Sequence, residues 1–151
     1  MVWGCMGWFG VGYSEIIDGI MDAEKFVKIL ESSLLRTIEE LDVDSEFLRF
    51  QQDNDPKHTS RRAKAWFQEQ QIALLPWPAQ SPDLNPIEHL WSEVKRGLNA
   101  YEEDPRSIAE LEQRTGEVWT AIPREKVRDL IRSMPRRCEA VIKAKGAWTK
   151  Y

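Results

Sequence analysis

Two stretches decide how this chain is read: QQDNDPKHTS, residues 51–60, and QSPDLNPIEHLW, residues 80–91. The apolar run from Phe47 to Phe50 predicts a strand reaching Gln52, which delivers Asp53 to its end. Asn85 and Pro86 have the chemistry of a helix start, which puts Glu88 in the first turn. Thirty-four residues lie between Asp53 and Glu88. Two carboxylates held at the ends of rigid elements suit a divalent cation, and magnesium prefers oxygen ligands of this kind.

Outward from these stretches the pattern is strand, helix, strand, helix, strand, then helices. Residues 1–20 read as one or two short strands, broken by glycines and ending near Ile17. Asp22 is placed as an N-cap, and Phe26, Leu30, Leu34, Ile38 and Leu41 recur at helical spacing up to an Asp-rich break at 42–45. Thr59 or Ser60 caps a helix with Ala63, Trp66 and Phe67 inward. Ile72 to Leu75 is a short strand, and the four prolines at 76, 78, 82 and 86 make the next stretch a stiff loop. A helix then runs from Pro86 through Ile87, Leu90, Trp91, Val94 and Leu98. Ser107 and Glu110 form a capping box opening another, with Ile108, Leu111, Val118 and Trp119 inward. Pro123 and Pro135 each suit the first position of a further helix, and Gly146 is a stop. This order predicts an α/β layer covered by helices.

The totals set limits on function. At 151 residues the chain is long enough for one domain and short for two. A net charge of −4 and a pI near 5.3 are not the balance of a protein that grips DNA unaided. Positive charge clusters at Arg61-Arg62, Lys64, Lys95-Arg96, Arg136-Arg137, Lys143 and Lys145, which read as solvated helix faces. Cys5 and Cys138 form no motif and read as reduced, buried thiols of an intracellular protein. No stretch is apolar for the length of a membrane span, and residues 1–13 lack the marks of a signal peptide. Trp66, Trp91 and Trp119 follow helical spacing and read as core.

Taken alone, each candidate residue also has an ordinary explanation. Glu88, three residues after Asn85, suits a capping box. Asp53 and Asp55 suit turn positions before Pro56. His58 reads as a helix-start or supporting residue and His89 as structural. Asp18 and Asp22 are the early aspartates, and Asp22 is better placed as a cap.

Together, QDNDPKHTS and LPWPAQSPDLNPIEHLW resemble the catalytic region of the Tc1/mariner transposases, the group with a DD34E signature. VWGCMGWFGVG near the start and RRCEAVIKAKGAWTKY at the finish resemble the flanking sequence of that family. The resemblance implies an RNase H-like fold: a mixed sheet flanked by helices, with a helical C-terminal region. It implies cut-and-paste DNA transposition, in which three acids hold two Mg²⁺ or Mn²⁺ ions. One ion activates the attacking water or 3′-OH, and the other stabilises the leaving oxygen. Asp53 then corresponds to the second acid and Glu88 to the third, while Asn54, Asp55, Lys57, His58 and His89 are supporting or DNA-contacting candidates.

The family's first acid lies upstream of the segment resembled by residues 1–20. The expectation is therefore a single partial catalytic domain over residues 1–151, truncated at its N-terminus. It lacks the DNA-binding region and the first, central strand of a 3-2-1-4-5 order. Strand cleavage and transfer would then be impaired, and a non-catalytic nucleic-acid-binding or protein-interaction relic is the alternative. Implied partners are DNA, as transposon ends, and a second copy of the chain. The implied compartment is the nucleus, from the DNA substrate alone.

Overall fold

The computed structural model describes residues 1–43 and 47–151. The chain packs as two compact units, Met1–Gly4 with Glu15–Ser81, and Cys5–Ser14 with Pro82–Tyr151. A hairpin of β1 (Val2–Gly7) and β2 (Gly10–Ile16) contributes residues to each. Its two-residue connection permits only antiparallel pairing. Met1 and Ile17 extend the pairing by exchanging backbone hydrogen bonds of 2.7 and 3.2 Å. Gly10 closes the turn at φ +122°, a conformation side chains disfavour.

In the first unit, Asp22 caps α1 (Ala23–Ile29) as expected, its carboxylate accepting the Lys25 N–H at 2.8 Å. The helix continues through a π-wound turn, Leu30–Leu35, into α2 (Arg36–Glu40). Phe26, Leu30 and Leu34 are buried, but Leu41 is not. The helix stops at Glu40, and the last inward position is Thr37, whose hydroxyl donates to Ser33 O at 2.7 Å. Part of the Asp-rich break, residues 44 and 45, lies outside the described residues.

β3 (Arg49–Phe50) and β4 (Ala73–Leu74) pair in parallel, Arg49 opposite Ala73 and Phe50 opposite Leu74. The regular ladder is shorter than the strands read at 47–52 and 72–75. The Leu75 N–H extends it by donating to Phe50 O at 2.9 Å. Parallel strands need a crossover, and α3 (Arg61–Glu69) supplies it, capped by Ser60 through the Ala63 N–H at 3.1 Å. Ala63, Trp66 and Phe67 are buried together with Phe26, Ile29, Leu30 and Ile72. Among the described residues the pairs β1–β2 and β3–β4 form separate two-stranded sheets.

The second unit is helical: α4 (Ile87–Leu98), α5 (Ile108–Thr120), α6 (Arg124–Arg132) and α7 (Met134–Lys143). Leu90, Val94, Trp119, Ile122 and Val127 form its core, with Met6, Val11 and Trp91 against it. Trp119 stacks on the half-buried Trp91 at 4.9 Å, and its indole donates to Gly12 O at 2.8 Å. Gly97 lets α4 meet α5, since a Cβ there would stand 2.4 Å from a Val118 methyl.

Several expectations for this unit are corrected. Ile108 and Leu111 are exposed, because the first turns of α5 are tied by polar contacts. Ser107 Oγ accepts the Glu110 N–H at 3.1 Å, while the Glu110 carboxylate accepts the Arg106 N–H and pairs with Arg114. The inward positions of α5 are Thr115 and Trp119, with Val118 packed against the same core as expected. Pro123 is the cap of α6 and Pro135 the second residue of α7, one place from the expected first position in each case. Gly146, at φ +84°, follows α7 as the expected stop. Cys5 is buried as expected, whereas Cys138 is exposed. Arg137, read as part of a solvated face, is only 1% exposed.

Candidate active-site residues

Asp53 follows β3 in the first unit, and its side chain is 59% exposed. Both of its hydrogen bonds use Oδ1: the Asp55 N–H donates at 3.1 Å, and His58 Nδ1 lies at 2.6 Å. The His58 ring lies tilted against Phe26 with centroids 4.3 Å apart, and Gln52 Nε2 donates to His58 O at 3.1 Å. Phe26 thus packs against the imidazole while Gln52 holds the backbone of the same residue. The imidazole fixes one carboxylate oxygen of Asp53 in turn.

The rest of the 51–60 loop is held by its own polar groups. Asp55 Oδ1 accepts the Lys57 N–H at 3.1 Å, its Oδ2 pairs with the Lys57 ammonium, and its carbonyl accepts the N–H groups of His58 and Thr59. Burial pushes the Asp55 carboxyl up, but the Lys57 hydrogen bonds and charge outweigh it and hold the group below its ordinary range. Asn54 Nδ2 donates to Trp77 O at 2.8 Å, tying the loop to the proline-rich segment. Asp53 and Asp55 thus do serve the turn, each accepting the N–H two residues on.

Glu88 belongs to the second unit, in the first turn of α4, and is exposed. Pro86 occupies the cap position, so no side chain caps this helix. Asn85 does not cap it either: its N–H donates to Pro82 O at 3.0 Å, and its buried Oδ1 has no partner among the described residues. His89 is half-buried beside the Arg137 guanidinium, with Nδ1 at 3.3 Å from Nη2. Burial, then the Arg137 charge, lowers the His89 pKa below its ordinary value.

Asp53 and Glu88 fall in different units, and each is placed by its own surroundings. Among the described residues no group of three or more His, Cys, Asp or Glu side chains is arranged to hold a metal ion. The donor chemistry of Asp53 nevertheless fits a hard cation: an exposed carboxylate, bonded through Oδ1 alone among the described residues, with the oxygen type magnesium prefers.

Sequence reasoning missed the polar cluster of the buried Arg137 and Asp83 with the half-buried Thr149. A signal existed in the helical register. Arg137 lies four residues after Ser133 and four before Val141, on the face that turns inward, while Arg136 points to solvent.

A parallel β–α–β unit, a hairpin and a run of C-terminal helices make this an α/β protein. The family described as DDE superfamily endonuclease matches residues 13–112, and the chain belongs to it, as a member of Tc1/mariner type. The chain is 47% identical to the Tc1 transposase of Caenorhabditis elegans, over all of its own length and 54% of that protein's. Identity to the Tcb2 transposase of Caenorhabditis briggsae is 44%, with the same coverage. The chain thus spans about half the length of the curated relatives it matches. The crystal structure of the Mos1 mariner transposase catalytic domain superposes with a TM-score of 0.86 at 24% identity, covering 99% of this chain and 75% of that one. The Mos1 paired-end complex with Mn gives a TM-score of 0.87 at 24% identity, covering 99% and 44%. That likeness establishes the RNase H-like fold.

Proposed function

We propose that this chain carries part of the catalytic region of a DNA transposase acting by metal-dependent strand cleavage and transfer. The observation that carries the reading is the Asp53 carboxylate, exposed at the end of a parallel strand and oriented by a clamped histidine. Asp53 takes the part of the family's second acid and Glu88 that of the third, by the motifs that contain them. A bound Mg²⁺ or Mn²⁺ would supply charge to an attacking and a leaving oxygen in phosphoryl transfer. On this reading Asp53, held through Oδ1 by His58, offers Oδ2 as a ligand oxygen, and the part given to Glu88 rests on its motif. Asn54, Asp55 and Lys57 keep the loop that carries Asp53 in shape. DNA, in the form of transposon ends, is the proposed substrate, with a second copy of the chain as partner and the nucleus as compartment. Support for the DNA partner is that Mos1 is found in a paired-end complex with a left transposon end.

With two carboxylates rather than three, these 151 residues alone neither cleave nor join DNA. Nicking of supercoiled plasmid in Mn²⁺, compared with Asp53→Ala and Glu88→Ala, tests this: nicking that both substitutions abolish would overturn the impairment. DNA binding that weakens steeply with salt and ignores Asp53→Ala would favour a non-catalytic nucleic-acid-binding module instead.

A further inference from the structure

We propose that Arg137 and Thr149 are positioning residues for Glu88, acting through the turn Pro82–Leu84 that leads into α4. The proposal rests on reading Glu88 as a metal-site carboxylate. Arg137 grips the chain on both sides of that residue. Its Nη1 donates to Asp83 O at 2.8 Å, and its Nη2 faces His89 Nδ1 at 3.3 Å. The guanidinium is anchored to its own helix by Nε donating to Ser133 Oγ at 2.9 Å, and it lies 5.0 Å from the Tyr151 ring.

The C-terminal residues hold the same turn from a second direction. The Thr149 N–H and hydroxyl both donate to Asp83 Oδ2, at 3.1 and 2.8 Å, while Asp83 Oδ1 accepts the Leu84 N–H at 3.2 Å. One buried residue, Asp83, is therefore held through its carbonyl by α7 and through its carboxylate by the last residues of the chain. Pro82 and Pro86 restrict the backbone on either side. Charge-assisted bonds in a buried setting are directional and little screened by salt. Together these contacts fix where α4 begins, and so where Glu88 stands.

Hydrogen exchange on the 151-residue chain tests the latch without any enzymatic readout. Thr149→Val should raise exchange of the Leu84, Asn85, Glu88 and His89 amides by about tenfold or more, the factor expected for loss of one charge-assisted bond. Thr149→Ser should restore it, and the amides of α5 should be unchanged. Arg137→Met should act in the same direction if it folds, and Thr149→Val decides the matter if it does not. Unchanged exchange at 84–89, or an equal rise throughout α5, overturns the proposal. Mn²⁺ broadening of the Glu88 amide resonance in the parent chain separately tests the metal reading: its absence removes that reading, and exchange alone then judges the latch.

Discussion

His58 Nδ1 stands 2.6 Å from Asp53 Oδ1. A carboxylate oxygen accepts, so a hydrogen bond here has Nδ1 as its donor. His58 Nε2 is buried without a partner among the described residues. Phe26 holds the ring face, so the bond is aimed by packing as well as by charge. Sequence spacing gives His58 no such role; the role comes from the turn that folds residue 58 back onto residue 53.

The first prediction concerns that tautomer. Nitrogen-15 shifts of the His58 imidazole at neutral to mildly alkaline pH should show a protonated Nδ1 and a bare Nε2. Asp53→Ala should remove the bias. The opposite pattern in the parent chain would mean that the 2.6 Å contact is not a hydrogen bond of this sense.

The second concerns the cation. Mn²⁺ added to the chain should broaden resonances around Asp53, and Asp53→Asn should abolish the effect. His58→Phe keeps the packing on Phe26 but removes the bond to Oδ1, and should weaken Mn²⁺ binding by about tenfold, as loss of an outer hydrogen-bonding partner does at metal sites. His58→Asn, which can place an amide N–H near the Nδ1 position, should recover part of it. Equal affinity in all three proteins would remove His58 from the site.

Much of the fold was legible because local chemistry and packing agree. Asp22, Ser60 and Ser107 each cap the helix their side chains suggest, and Ala63, Trp66 and Phe67 turn inward at helical spacing. What escaped the sequence depends on partners distant along the chain. Ile108 and Leu111 have the right spacing for a core, but spacing cannot say which turn of a helix meets one. Arg137 reads as solvated because charge is normally exposed, and its burial rests on partners at 83, 89, 133 and 151 that the helix pattern does not reveal. The candidate carboxylates were legible as a motif. The clamp of Phe26 on His58 was not, because those residues are 32 apart in sequence.

The third prediction tests the close approach in the second unit. Gly97→Ala places a methyl 2.4 Å from Val118 Cγ1 on α5, so α4 and α5 must separate or Val118 must leave its rotamer. The expected cost is about 1–3 kcal/mol, the range for overpacking a filled interface. Val118→Ala should offset most of it when combined with Gly97→Ala, giving a coupling energy of opposite sign to the single losses. Urea denaturation of the four proteins measures it. Additive losses would show that the two side chains do not share this space.

The fourth prediction follows from His89. Burial, then the neighbouring Arg137 charge, holds its pKa below the ordinary 6.5, and Glu93 opposes this only in part. Above 6.5 the ring is neutral in folded and unfolded chains alike, so its contribution to stability is complete. As pH falls through 6.5 the unfolded chain takes up a proton that the folded chain resists, and stability is lost until the lower folded pKa is reached. One proton sets the slope at no more than about 1.4 kcal/mol per pH unit. His89→Gln keeps an acceptor toward Arg137 without titrating in this range, so its melting temperature should fall less between pH 7 and pH 5 than that of the parent chain. If both proteins lose the same amount over that interval, the acid sensitivity lies elsewhere, and the first carboxylates to examine are Asp55 and Glu110, whose pKa values are lowered by Lys57 and by the Arg106 N–H with Arg114.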